Sequence, residues 1–497
     1  MLVQYFQARS LKADALNFVE EKSEKDDPFL VTWTEGDSRN PQNWSLFKKW
    51  LISASVALIA FVVGAAGTIN SAAESYAAEK FGVTEEVMTL QDSLYLIGFG
   101  LSAPAMGPLS ELKGRNPVYL ITLLIYSVFC LGSGFAKNIQ TRAILRFFAG
   151  VFGAAPLSNA GGSVADVAGP LQRSYLFPCF SFLGFMGTSI GPVFGGWIGE
   201  RADQAWCDWV NAIAGFGTVI LLGLTMPETL SMELLRHRSS EIRRVTGDDR
   251  YTTALERKLR DSGRPFIYEV FTAVLQPVKF LATEPITLAF AFYLTVVYIV
   301  LFGDLESYPL IFSIYDWSPG KVGSVFAAVS IGMVLVGALT PLTYWHYKKI
   351  YYQCEAEGRP VQPETRLFLC MVLTWCMPIA LFWAGWTAYP SISPWSLIVS
   401  QFVFGIGALA CFISSYMYII DVYQVNAASP LATLVFLRYI VAGAGAITFT
   451  RPMFEGIGNH WALSLLGFLS VLVSLIPPVF YIFGPKLRRR SSYAMSQ

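Results

Sequence analysis

Two carboxylates two residues apart, Asp304 and Glu306, precede Pro309 inside an apolar run at about 286–312. A carboxyl group held away from water gives up its proton less readily, which brings it toward the range where protons are exchanged. Either residue is therefore a candidate carrier of a proton or another cation. The competing reading is that both sit solvated at the outer membrane surface. Residues two apart on a helix point about 200° apart, so both cannot face one cavity unless Gly303 or Pro309 distorts the helix. Two arginines also stand in apolar runs. Arg146 opens Arg146-Phe-Phe-Ala-Gly150, and Arg438 lies about 11 residues, or roughly 16 Å, past the start of its run. A charge in hydrocarbon costs a few kcal/mol on insertion scales, so each marks either a functional site or a structural ion pair. As functional residues, Arg146 and Arg438 would tune proton exchange or bind anionic groups.

These residues need elements that hold them in a bilayer, and the composition provides them. Of 497 residues, 54% are apolar, 15% aromatic and 14% charged, whereas soluble domains carry about 25% charged residues. Mean hydropathy is +0.47. Apolar runs fall at about 51–69, 89–109, 117–135, 143–162, 175–198 and 209–226. A second set falls at about 286–312, 323–343, 367–387, 395–420, 430–450 and 461–483. Each is near the ~20 residues a helix needs to cross a bilayer core. A soluble enzyme, a disordered chain and a secreted disulfide scaffold are all excluded. The expected fold is an all-α membrane protein of twelve transmembrane helices. Its parts are a tail at 1–50, a six-helix bundle at 51–226, a charged central loop at 227–285, a second six-helix bundle at 286–483 and a basic tail at 484–497.

The 36 basic and 35 acidic side chains nearly cancel, and no basic stripe suggests a nucleic-acid partner. Their distribution is more informative, because cytosolic loops collect Lys and Arg. One set of loops holds Arg39, Lys48, Lys49, Lys113, Arg115, Arg173, Lys348, Lys349, Arg359, Arg366, Lys486, Arg488, Arg489 and Arg490. The other holds only Lys80, Lys137, Arg142, Arg201, Lys321 and Arg451. Both termini and the central loop are thus expected in the cytosol, with Asp92 and Asp421 interfacial at span ends. The seven cysteines lack CxxC spacing and read as small buried hydrophobes, and the three histidines form no metal constellation. The polar N-terminal stretch is not a signal peptide.

The loop after the second run reads Gly107-Pro-Leu-Ser-Glu111-Leu-Lys-Gly114-Arg115. Its glycines permit a tight turn and close helix approach, and Glu111 and Arg115 supply one charge of each sign. The fifth run contains Gly187-Thr-Ser-Ile-Gly191-Pro192-Val-Phe-Gly195-Gly196. Glycines four apart form a bare stripe against which another helix can lie, and Pro192 softens the helix. Close packing alone is the bland alternative. Aromatics in the runs, among them Tyr298, Phe302 and Tyr418, suit amphipathic or aromatic cargo where they line a cavity, while others face lipid. Two six-span halves joined by a cytosolic loop are the layout of secondary transporters.

The G-x3-E-x2-G-R string resembles the signature loop of the major facilitator superfamily, and Arg146-x3-Gly150 resembles its span-four motif. The fifth run resembles the superfamily's antiporter motif, associated with exporters, although Pro178 stands where the longer version has glycine. The resemblance implies that Glu111 faces the start of span eleven, near 427–431, and that Arg115 pairs with Asp166, as a cytosolic gate. A carboxylate at a helix N-terminus gains typically about 0.3–1 kcal/mol, enough to bias such a gate. Asn40-Pro-Gln-Asn43-Trp44-Ser45, Asn159-Ala-Gly-Gly-Ser-Val-Ala-Asp166, Pro227-Glu-Thr-Leu230, Glu284-Pro285-Ile286, Pro363-Glu-Thr-Arg-Leu367 and Tyr418-x2-Asp421-x-Tyr423 narrow the match. Together they resemble fungal drug:proton antiporters of the twelve-span type, over about 36–493.

That resemblance implies a monomeric plasma-membrane exporter of drugs, polyamines or secondary metabolites, working by alternating access. Its partners are cargo, protons and the bilayer, and it needs no cofactor beyond the proton gradient. A vacuolar membrane is the less favoured site. Glu306 falls where relatives commonly carry an acid, so it is preferred to Asp304 as coupling group. Leu101-Ser-Ala-Pro104 departs from the Gly-Pro common in span two, which allows a cargo unlike that of the polyamine exporters. An importer or uniporter of a small organic solute on the same fold is the alternative. A membrane-embedded enzyme or receptor is remote, since no nucleophile elbow, metal cluster or phosphate loop is present.

Overall fold

The computed structural model describes residue 7, residues 29–34, 36–262, 266–424 and 427–489, and residue 491. Apolar runs become helices because a chain in hydrocarbon must satisfy its backbone polar groups within one segment. The first half holds α1 (Leu46–Ala66) continued by α2 (Glu74–Phe81), α3 (Glu85–Lys113) and α4 (Arg115–Gly134). It goes on with α5 (Ile139–Gly153) continued by α6 (Ala155–Val167), then α7 (Pro170–Arg201) and α8 (Ala205–Thr225). The central segment forms α9 (Ser231–Thr246), α10 (Ala254–Ser262) and α11 (Phe266–Thr283). The second half runs through α12 (Pro285–Phe312), α13 (Pro319–Ala338) continued by α14 (Thr340–Ala356), α15 (Phe368–Leu373) and α16 (Cys376–Thr387). It ends with α17 (Trp395–Tyr423), α18 (Ala428–Val441), α19 (Ile447–Ser474) and α20 (Ile476–Arg488).

Local chemistry sets the boundaries. Ser45 accepts from the Lys48 N–H at the start of α1, and Asn138 accepts from Thr141 N–H at 2.8 Å at the start of α5. Pro170, Pro285 and Pro319 take first-turn positions, where a missing N–H costs nothing.

Among the described residues, ten helices are long and apolar enough to cross a membrane. The second and eleventh expected spans are the ones that depart from a simple apolar rod. α3 carries Glu85, Glu86, Asp92, Glu111 and Lys113 and lies outside those ten. The eleventh run breaks into α18, a π-helical turn at Ala442–Ala446 and the start of α19, because alternating Ala and Gly cannot pin one helical register. Gly458 (φ 77°, ψ 161°) then kinks α19 between the last two runs. The charged central loop is folded: Arg238 on α9 pairs with Asp37 at 2.8 Å, and Arg243 with Glu256 of α10 at 3.0 Å. α20 continues to Arg488, past the expected boundary at 483, and buries Arg488 against Glu364 at 3.0 Å instead of leaving it in a solvated tail.

Within the halves α1 packs on α7, α3 on α5, α4 on α8, α13 on α17 and α12 on α19. Across the halves the main contacts are α7 on α13 and α3 on α18. The perimeter is apolar, with Ile121, Val128, Phe194, Ile213, Ile220, Trp345, Trp461 and Ile482 all exposed. A soluble monomer does not carry so much apolar surface, and hydrocarbon is its natural solvent. The chain is a multi-pass membrane protein.

Candidate functional site

The signature string lies at one end of the bundle. α3 stops at Lys113 and α4 starts at Arg115, so Gly114 makes the turn alone at φ +89°. A methyl on Gly114 would sit 2.5 Å from Glu228 Oε2. The Glu228 carboxylate accepts from the backbone N–H groups of Arg115 (3.0 Å), Asn116 (3.2 Å), Thr229 (2.9 Å) and Leu230 (2.8 Å). It thereby caps α4 from beyond the end of α8, and burial still pushes its pKa up. The Pro-Glu-Thr-Leu string, unassigned by sequence, is this cap. Gly107 makes no turn: it lies inside α3, and a methyl there would meet only Asn159 Oδ1 at 3.9 Å.

Arg115 Nε donates to Asp166 Oδ2 at 3.0 Å and Nη1 to Ser110 Oγ at 2.6 Å. Glu111 is half-buried, with Arg115 and Asp166 as its charged neighbours. It lines a vestibule of about 630 Å³ that Ala427, Ala428 and Leu431 bound from the other half. The second half repeats the arginine–aspartate pair: Arg366 Nε donates to Asp421 Oδ2 at 2.6 Å. Arg366 also crosses to α7, donating to Ser174 Oγ (2.6 Å) and Pro170 O (3.0 Å), and its guanidinium lies 3.5 Å over the Tyr347 ring. It straps the halves together at this end. Neither Arg366, counted as a loop charge, nor Asp421, read as interfacial, is simply solvated. The signal available in the sequence was the repeat itself, since 51 residues separate Arg115 from Asp166 and 55 separate Arg366 from Asp421.

The far end is sealed. Methyls added to Gly187, Gly191 and Gly195 would lie 2.1 Å from Phe61 O, 2.4 Å from Thr68 Oγ1 and 1.6 Å from Ile69 O, so α7 rests on the α1 backbone and the turn after it. Gly196 faces α13 instead, where an added methyl would lie 2.4 Å from Pro319 O, and a methyl on Gly323 of α13 would come equally close to Pro192 O. The glycines therefore serve close packing, both within the first half and between halves. Gly195→Ala or Gly187→Ala should destabilise the protein by about 1–3 kcal/mol or more, as overpacking does. Gly217→Ala and Gly223→Ala, with open space around them, should not. Thermal unfolding of the purified variants in detergent measures the difference. Trp197 Nε1 donates to Ser324 Oγ at 2.9 Å across the same seam, and Glu85 pairs with Arg451.

Beneath that seal lies a buried charge cluster within the first half. Arg146 donates to Asp92 (2.6 Å), Asp208 (3.0 Å) and Ala66 O (2.9 Å). Arg142 donates to the other oxygen of Asp208 at 2.8 Å and also to Gln204. Arg146 is thus a member of a structural ion-pair network. Arg142, assigned to an outer loop, and Asp92, assigned to the interface, are both buried. Nothing in the sequence singled out Asp208.

The two acids of α12 part company, as their angular separation requires. Asp304 is buried, accepts from Gln401 Nε2 at 3.2 Å and lines a small cavity with Phe326 and Met333. Glu306 is half-buried and looks across to the first half, where Glu74 and Asp92 are its charged neighbours. Tyr298 and Phe302 line a central cavity of about 20 Å³ together with Gly64, Phe185 and Tyr439. Tyr418 does not: it stacks on Phe290 at 4.9 Å inside the second half. Arg438 is fully buried beside Tyr298, its guanidinium 4.5 Å from that ring.

The Major Facilitator Superfamily model matches residues 56–446 of this chain. The MFS-type transporter kojT of Aspergillus flavus is 38% identical over 459 residues, covering 92% of this chain and 80% of that one. The MFS-type efflux pump MFS2 of Trichophyton rubrum is 34% identical over 471 residues, 94% of this chain and 78% of that one. Among solved structures, the proton:xylose symporter XylE of E. coli superposes with a TM-score of 0.64 at 14% identity, over 88% of this chain and 96% of that one. At that identity the likeness is one of fold.

Proposed function

The chain belongs to the major facilitator superfamily, and from that premise we propose that it is a proton-coupled exporter of a small amphipathic organic compound in the plasma membrane. In this proposal twelve helices cross the bilayer, both termini and the vestibule face the cytosol, and the sealed end faces outward. The observation that carries the proposal is Glu306, an acid of the second half set against Glu74 and Asp92 of the first at the sealed end. Like charges crowded in a poorly solvated seam repel; Arg146 offsets the charge of Asp92, so Glu74 supplies the larger share of that repulsion. Protonating Glu306 from outside lets the outer end close and the vestibule open. Losing that proton to the cytosol, once cargo is aboard, restores the repulsion and drives the outer end apart. One proton thus enters for each cargo that leaves.

Export as the direction is supported by the span-five Gly-Pro stripe and by relatives of which one is named as an efflux pump and another as a multidrug transporter. The test is a comparison of cells with and without the protein. The compound whose intracellular level rises severalfold on deletion is the cargo; a compound whose level falls on deletion would make the protein an importer.

A further inference from the structure

The buried arginines divide into two kinds. Arg115, Arg142, Arg146, Arg238, Arg366 and Arg488 each hold a carboxylate within 3.0 Å. Arg438, at 0% exposure, holds none among the described residues; its polar neighbours are tyrosine hydroxyls, Tyr416 and Tyr439 among them, and none of its nitrogens makes a well-formed hydrogen bond. Guanidinium cannot escape by losing its proton, so the site keeps a full positive charge without a counter-ion. Aromatic faces offset part of that burden: Tyr298 at 4.5 Å, Tyr439 at 5.1 Å, and Phe412 and Tyr416 at 5.3 Å. The same rings meet the first half, Phe412 on Phe185 at 4.2 Å and Tyr439 on Phe99 at 4.4 Å, just where the central cavity has closed to about 20 Å³.

We infer that the cargo is an organic anion, a carboxylate or phenolate on a flat conjugated body, and that Arg438 receives its charged group. The inference rests on the transporter reading above and names its substrate class. When the halves part, the two aromatic contacts between them break, a flat cargo takes their place, and its oxygens meet the guanidinium fork in the paired geometry that arginine and carboxylate favour. A cationic cargo would instead face an uncompensated like charge.

Cinnamate, cinnamamide and cinnamylamine share one flat body and differ in charge, so they serve as probes for the purified full-length protein, with binding measured by calorimetry. Cinnamate should bind at least tenfold tighter than the other two. Arg438→Gln should reduce cinnamate to the affinity of cinnamamide, and Arg438→Lys, which keeps the charge but loses the fork, should fall between. Equal or weaker binding of cinnamate by the wild type, including no binding, overturns the inference, as does an Arg438→Gln protein that keeps the preference. The charge series on the wild type stands even if a variant fails to fold. Preferential cinnamate binding without movement across proteoliposomes would support the anion site while counting against the transport reading, so the two failures are distinguishable.

Discussion

Asp208→Asn should cost the protein about 3–5 kcal/mol of stability, the penalty of breaking a buried ion pair from one side. One Asp208 oxygen receives Arg146 at 3.0 Å and the other receives Arg142 at 2.8 Å and Ser133 Oγ at 3.1 Å. Asparagine keeps the shape and one acceptor but no charge, so two buried guanidiniums would share Asp92 alone. Asp203→Asn is the control: its partner Lys80 lies at 2.6 Å, but both side chains are about half exposed, and such pairs contribute about 0–1 kcal/mol. Asp208→Asn combined with Arg142→Gln should recover part of the loss, because it removes one of the stranded cations. Unfolding of the purified proteins in detergent gives the comparison, and an Asp208→Asn protein as stable as Asp203→Asn would show that the cluster is not what holds the sealed end of the first half.

The apolar runs were legible because hydrocarbon imposes one solution on the backbone. The turn at Gly114 was legible as well, because a short charged string between two apolar runs has few ways to fold. Arg115 with Asp166 is the one partnership between distant helices that the family resemblance supplies, and the structure shows it; the others have no local signal. Arg146 and Asp208 are 62 residues apart, Arg146 and Asp92 54, and the Glu228 cap reaches back 113 to the start of α4. Hydropathy assigns each charge to water or lipid by its own neighbourhood, so Asp92 and Arg142, near span ends, were placed in the interface and a loop. The helix packing that buries them is invisible until the halves are folded. Tyr418 illustrates the same limit for aromatics: its run is correct, but which face of α17 meets Phe290 and which meets the cavity depends on neighbours that no local pattern names.

Glu306→Gln should abolish uphill transport while leaving exchange of cargo for cargo intact. Glutamine fills the same space and can neither carry a proton nor repel Glu74 and Asp92, so the outer end closes and opens without reference to the gradient. Asp304→Asn should keep coupling, because Asp304 is turned toward Gln401 in a separate cavity. Glu74→Gln should weaken coupling without removing it, since Asp92 still faces Glu306.

Proton coupling is tested most directly in proteoliposomes given the compound identified by deletion, with a pH difference imposed across the membrane and cargo measured on both sides. For one-to-one exchange with the membrane voltage held at zero, each pH unit supports a cargo ratio of up to about tenfold, since a tenfold ratio of either species carries the same ~1.4 kcal/mol. Wild type should accumulate cargo on the acidic side in proportion to the pH difference, and Glu306→Gln should settle at a ratio of about one under the same conditions. A wild-type protein whose cargo distribution ignores the pH difference, or a Glu306→Gln protein that still concentrates cargo, would contradict proton-driven export through Glu306.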